Sequence, residues 1–179
     1  REPAAVRSLT EVFRAQFDPG VEGLSAYDVD EKRVSLKERA RRAFLSLLDG
    51  VQELLTDQIL RSFYNLIEAT VRTNFYARDP LSFPAIALKF DSKVIQRIPS
   101  PAPYREIYVH HPKMAGLHLR TGPVARGGIR WSDRPLDFRS ELLGLMATQD
   151  LKNVVIVPKG AKGSFVLRDE SKDSQIRRQ

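Results

Sequence analysis

Three windows of the sequence hold cations in settings suited to anion chemistry. In VPKGAKGSF (157–165) Lys162 stands between Gly160 and Gly163, with Lys159 close by. Glycine lets a ligand approach the backbone closely, so an amine delivered there can meet a bound anion or carbonyl. The plainer reading of this window alone is an exposed turn carrying a solvated lysine. A phosphate-cradling loop is excluded, because the spacing G-x-x-x-x-G-K-[ST] does not occur. In GPVARGGIRW (122–131) Arg126 precedes Gly127 and Gly128. A guanidinium there can fork onto a carboxylate through two parallel hydrogen bonds, which a lysine cannot do. Lys152 closes a predicted helix, where a cation complements the helix dipole, and it directly precedes Asn153 and the apolar run Val154–Val157, beyond which Lys162 lies. If the three cations converge at one edge of a sheet, two can neutralise a dicarboxylate and one is left for chemistry.

The elements that must position them follow from periodicity. Val6, Leu9, Val12 (or Phe13) and Phe17 recur at helical spacing over 3–17, with Pro3 suited to a first helical position. A second helical region runs from Ser35, with Glu38 completing a capping box, to about Tyr76, broken near Gly50. Its apolar faces are Leu36, Ala40, Phe44, Leu47 and Leu48, then Leu55, Ile59, Leu60, Phe63, Leu66, Ile67 and Val71. These are expected in helix packing. From Asp79-Pro80 onward, FPAIALKFD (83–91), YREIYVHH (104–111) and MAGLHLRTG (114–122) show strand-type patterning, the last two forming an antiparallel hairpin. The spacing then predicts a Gly-rich turn over 122–131, a helix from about Pro135 to Lys152 opened by Ser132, Asp133 and Asp137, and a buried strand over 154–157 with the Lys162 turn at its exit. The expected fold class is α/β (α+β): a helical N-terminal segment (1–80), a mixed β-sheet with helices (81–168) and a charged tail (169–179).

Composition narrows the function classes. The 179 residues are 42% hydrophobic and 28% charged, with no apolar stretch near the roughly 20 residues of a membrane span, so no membrane partner is expected and the cytoplasm is the expected location. Without cysteine, no disulfide, thiolate metal site or thiol nucleophile exists in these residues. His110, His111 and His118 lack acidic partners, and no metal site is expected. Trp131 is expected as a core anchor, with stacking on Arg130 the alternative. The formal charge of +7 is concentrated: Lys113–Arg168 holds ten Lys and Arg against four acids, and EKRVSLKERARR (31–42) holds six against two. On a helix the latter is expected to be a solvated face, with a nucleic-acid-binding module as the rival reading.

The stretch VARGGIRWSDRPLDFRSELLGLMATQDLKNVVIVPKGAKGSFV (124–166) resembles the substrate-domain signature of NAD-dependent glutamate dehydrogenases, specifically the very large bacterial class. What the resemblance implies is a substrate domain like that of amino-acid dehydrogenases, and oxidative deamination of L-glutamate to 2-oxoglutarate and ammonia with NAD. It implies that Arg126, with Gly127 and Gly128, binds the side-chain carboxylate, that Lys152 binds near the α-carboxylate, and that Lys162 is the catalytic lysine. Its amine would assist attack of water on the iminium carbon, a role that neighbouring cations and desolvation favour by making it partly neutral. Lys159 matches no role. Ser164 stands where the family usually has a second glycine, and no acidic partner for the lysine is found before Gln179. With no G-x-G-x-x-G present, the dinucleotide site is expected outside these residues, the chain is expected to be a fragment inactive alone, and its partners to be the rest of the enzyme and further copies in a homo-oligomer. A helical assembly role for 1–80 is compatible with this.

Overall fold

The computed structural model describes residues 2–21, 29–77, 79, 84–152 and 159–168. The chain divides into two compact units, Arg1–Ala69 and Thr70–Gln179.

The first unit holds three helices, α1 (Pro3–Phe17), α2 (Val29–Leu48) and α3 (Leu54–Ala69). α1 begins with proline at its start, as predicted. It buries Ala5, Leu9, Val12 and Ala15, so the buried stripe is rotated from the predicted one and Val6 is exposed. Phe44 and Leu48 of α2 and Leu60 of α3 complete the core, with Phe44 stacked on Tyr64 at 5.2 Å between ring centroids. Burial pushes the Tyr64 phenol pKa above its usual 10.0.

Three local expectations are corrected here. α2 starts at Val29, so Ser35 lies inside the helix and caps nothing. The extra turn is useful to α1: Arg33 donates to the carbonyls of Ala15, Gln16 and Asp18 at 3.1–3.3 Å, satisfying oxygens that a helix C-terminus leaves unpaired. α3 stops at Ala69 instead of running to Tyr76, because Thr70, Val71 and Thr73 are β-branched and favour an extended chain. Finally, α3 buries Leu60 and packs Tyr64 and Ile67 against the core, whereas Leu55, Ile59, Phe63 and Leu66 are exposed.

The second unit is a six-stranded mixed sheet: β1 (Thr70–Thr73), β2 (Ile86–Asp91), β3 (Arg105–His111), β4 (Met114–Arg120), β5 (Ala125–Trp131) and β6 (Lys159–Leu167), in the order β1-β2-β3-β4-β6-β5. The predicted strands and hairpin at 83–122 are present, and β3 and β4 pair antiparallel from Arg105↔Arg120 to His111↔Met114. β5 and β6 are parallel, joined through α4 (Phe138–Lys152) as a βαβ unit. Leu142, Leu143 and Met146 of α4 pack on Leu117 and Leu119 of β4, and Leu119 is fully buried.

Both Gly-rich windows differ from expectation: 125–131 and 159–167 are strands, not turns. Glycine is needed at 127 because a Cβ there would collide with the carbonyl oxygen of Ala161 on the neighbouring strand. At Gly163 a Cβ would come within 2.6 Å of the Ile129 side chain. α4 opens three residues later than predicted, after a turn in which Arg134 O accepts from Asp137 N and Phe138 N. The predicted strand over 154–157 lies outside the described residues.

Candidate active site

Strand alternation decides which residues share the face that α4 covers. Phe90, Glu106, Leu119, Lys162 and Gly128 form one continuous row across β2, β3, β4, β6 and β5. Leu119 in this row and Leu117 in the next pack against α4, so Lys162 and Gly128 face the same side. Arg126 pairs with Gly160, two residues before Lys162, which puts its Cα about 8 Å from that of Lys162 on the same face. Lys159 is of the opposite parity and projects to the other face. The two lysines of the motif are thereby separated by the sheet itself.

Between these two cations the surface is open. A Cβ at Gly128 would meet nothing within 4 Å, so a small ligand can approach the backbone there. The neighbouring carbonyl of Gly160 is held by Thr121, whose N–H and hydroxyl both donate to it at 3.0 and 2.9 Å. Lys162 is half-buried and Arg126 exposed. Among the described residues neither side chain has a hydrogen-bond or ion-pair partner. Of the remaining predicted residues, Gly127 pairs with Ala161 and Gly128 with Lys162, while Lys152 is the last residue of α4, and its side chain lies outside the described residues.

Three arginines of this unit are engaged in ion pairs across the sheet or onto it. Arg139 of α4 forms a forked pair with Glu106 of β3, Nε to Oε1 at 2.8 Å and Nη2 to Oε2 at 3.0 Å, and Glu106 is only 4% exposed. Arg130 of β5 is paired with Glu141 of α4, and Arg105 with Asp91 at 3.1 Å. Sequence reasoning did not find the Glu106 and Glu141 pairs, which span 33 and 11 residues. The buried glutamate inside an otherwise alternating apolar strand was the available signal, since a buried carboxylate requires a partner.

One side expectation is corrected. Trp131 is 58% exposed, because alternation turns it to the face opposite α4, and Arg130 is committed to Glu141 instead of the indole. The histidines are dispersed along the hairpin, His110 opposite Ala115, His111 opposite Met114 and His118 opposite Ile107; no group of metal-binding side chains occurs among the described residues. Burial, aided by the charge of Arg120, lowers the His118 pKa below 6.5.

Among the described residues of this βαβ unit the paired glycines lie within β5, not in the connection from β5 to α4 where pyrophosphate binding requires them.

Comparison with known proteins supplies the family. The family described as "Bacterial NAD-glutamate dehydrogenase, catalytic domain" matches residues 43–179. The NAD-specific glutamate dehydrogenase of Mycobacterium tuberculosis is 46% identical over 169 residues, covering 93% of this chain and 10% of that protein. The protein of the same name from Pseudomonas aeruginosa is 47% identical over 164 residues, 90% of this chain and 10% of its own length. The probable NAD-specific glutamate dehydrogenase of Schizosaccharomyces pombe is 30% identical over 142 residues, 72% of this chain. The chain thus spans about a tenth of the length of the two bacterial relatives. On the match over 43–179 and on these identities, the chain belongs to the bacterial NAD-glutamate dehydrogenase family, within its catalytic domain.

Proposed function

We propose that residues 81–168 form most of the substrate-binding half of an amino-acid-dehydrogenase-like catalytic domain, which takes L-glutamate to 2-oxoglutarate and ammonia, with NAD held by polypeptide outside the described residues. The observation that carries this reading is the pair of cations, Arg126 and Lys162, on one face beside the open backbone of Gly128, with no side-chain partner among the described residues. The match to relatives named NAD-specific glutamate dehydrogenase supplies the substrate and the cofactor.

Each residue then has a definite task. Arg126 forks onto the side-chain carboxylate of glutamate, and the backbone of Gly127 and Gly128 lets that end of the substrate lie close to the sheet. Lys152, at the end of α4, serves the α-carboxylate. The Lys162 amine lies two residues along β6 from the register position of Arg126, at the carbon that loses its amino group. There it accepts a proton from the water that adds to the iminium carbon and stabilises the charge that develops. The helical segment 1–80 leads into this domain and contributes to assembly of a homo-oligomeric, cytoplasmic enzyme.

The test is kinetic and uses the full-length enzyme. Lys162→Ala is expected to lower kcat by about a thousandfold, in the range of a lost acid–base group, while dinucleotide binding measured by fluorescence titration is retained. Turnover within tenfold of the parent would defeat the assignment.

A further inference from the structure

β5 carries Arg126, Gly127 and Gly128, yet it is the strand least able to hold them still. Among the described residues it lies at the sheet edge with β6 as its one neighbour, six of its seven residues are exposed, and two adjacent glycines weaken a strand. The fold compensates from α4. The Glu141 carboxylate receives Arg130 of β5 on Oε1 and the Ser132 hydroxyl, at 3.3 Å, on Oε2. Ser132 is buried, its N–H donates to Phe165 O of β6 at 2.8 Å, and its hydroxyl accepts from Arg134 N at 3.2 Å. One carboxylate therefore gathers the end of β5 and the turn that leaves it.

α4 is fixed on the other side as well. Arg139, two residues before Glu141, is forked onto buried Glu106 of β3. The first turns of the helix form a crossbar from β3 to β5, passing over β4 and over β6 with Lys162. Arg130 and Arg126 share a face and lie four residues apart on one strand, so a shift of β5 along β6 moves Arg126 relative to Lys162 directly.

We infer that Glu141, acting through Arg130 and Ser132, is a positioning residue that sets the place of Arg126 relative to Lys162, and thereby the affinity for the dicarboxylate; this rests on the function proposed above. Misplacement by about 1 Å of a group that binds substrate costs up to about a hundredfold.

The experiment uses steady-state kinetics of the full-length enzyme. Glu141→Gln and Arg130→Gln are each expected to raise KM for glutamate about ten- to hundredfold, with kcat and KM for NAD within twofold of the parent. Arg130→Lys restores most of the loss by keeping the charge. The double variant Arg130→Gln with Glu141→Gln is no worse than either single one, since both remove the same bond. An unchanged KM for glutamate in an enzyme whose Arg126→Ala variant shows a raised KM overturns the inference and leaves the dicarboxylate site standing. A parallel fall of kcat, NAD affinity and thermal midpoint also overturns it, by reducing Glu141 to a structural role. If Arg126→Ala and Lys162→Ala themselves leave kinetics unchanged, site and positioning device fall together.

Discussion

On α2, Arg41 and Arg42 both meet Glu38, at 3.4 and 3.2 Å, Arg41 also donates to the Tyr64 hydroxyl at 3.0 Å, and Arg33 is spent on the carbonyls ending α1. On β5 and β6, Arg126 and Lys162 meet no carboxylate among the described residues. The two regions look alike in composition, since each is a dense run of Lys and Arg. Their difference teaches that cation count says little about partners until pairing is known. Three of the six cations in the α2 run, Arg33, Arg41 and Arg42, are engaged within their own unit, which weakens the support for the nucleic-acid reading. Beside open backbone the sheet holds two cations whose side chains are unpaired among the described residues, an arrangement that calls for an anionic ligand.

Substitutions on the two sides should separate accordingly. After the loss expected of Lys162→Ala, the largest effect is that of Arg126→Ala: losing this charge-assisted contact costs about 1.5–3 kcal/mol in all, seen as a KM for glutamate raised about ten- to two-hundredfold. Arg126→Lys should fall between, because a lysine keeps the charge without the fork. Next comes Gly127→Ala, expected to destabilise by about 1–3 kcal/mol in chemical denaturation, as Cβ displaces the Ala161 carbonyl. Gly128→Ala, one residue on, should change stability by under about 1 kcal/mol, since nothing occupies that space.

A smaller effect is expected from pH. His118 titrates below its ordinary 6.5 when folded, so the unfolded chain takes up the proton first. Its contribution to stability is fully present above 6.5 and falls as the pH drops below that value. Urea midpoints measured at pH 7 and pH 5 should show this fall, and His118→Gln should reduce it. The smallest effect belongs to α2. Arg42→Gln should leave KM for glutamate and the thermal midpoint unchanged, because an exposed pair of this kind contributes little; a kinetic effect there would break the contrast between the two regions.

What could be read in advance depended on side chains that alternate. β2, β3, β4 and their hairpin were legible because Phe90, Glu106, Tyr108, Leu117 and Leu119 carry the period of two. β5 and β6 were mistaken for turns because glycines carry no such signal, and because a glycine required by a neighbouring strand looks, in sequence, like one required by a bend. The residues of the site were singled out from their glycine surroundings and from family resemblance. Their common face was not legible, since it depends on a register between strands 34 positions apart, Gly128 against Lys162. The crossbar of Arg139, Glu106, Glu141 and Arg130 was hidden for the same reason: ion pairs across a sheet obey no local spacing.

The empty volume above Gly128 also offers a spectroscopic handle. These 179 residues contain no cysteine, so Gly128→Cys would give the segment a single thiol, at a position where a side chain has room. A small fluorophore or spin label attached there would sit beside Lys162. Its signal would report ligand arrival without any turnover, which makes occupancy observable even in variants that have lost the reaction.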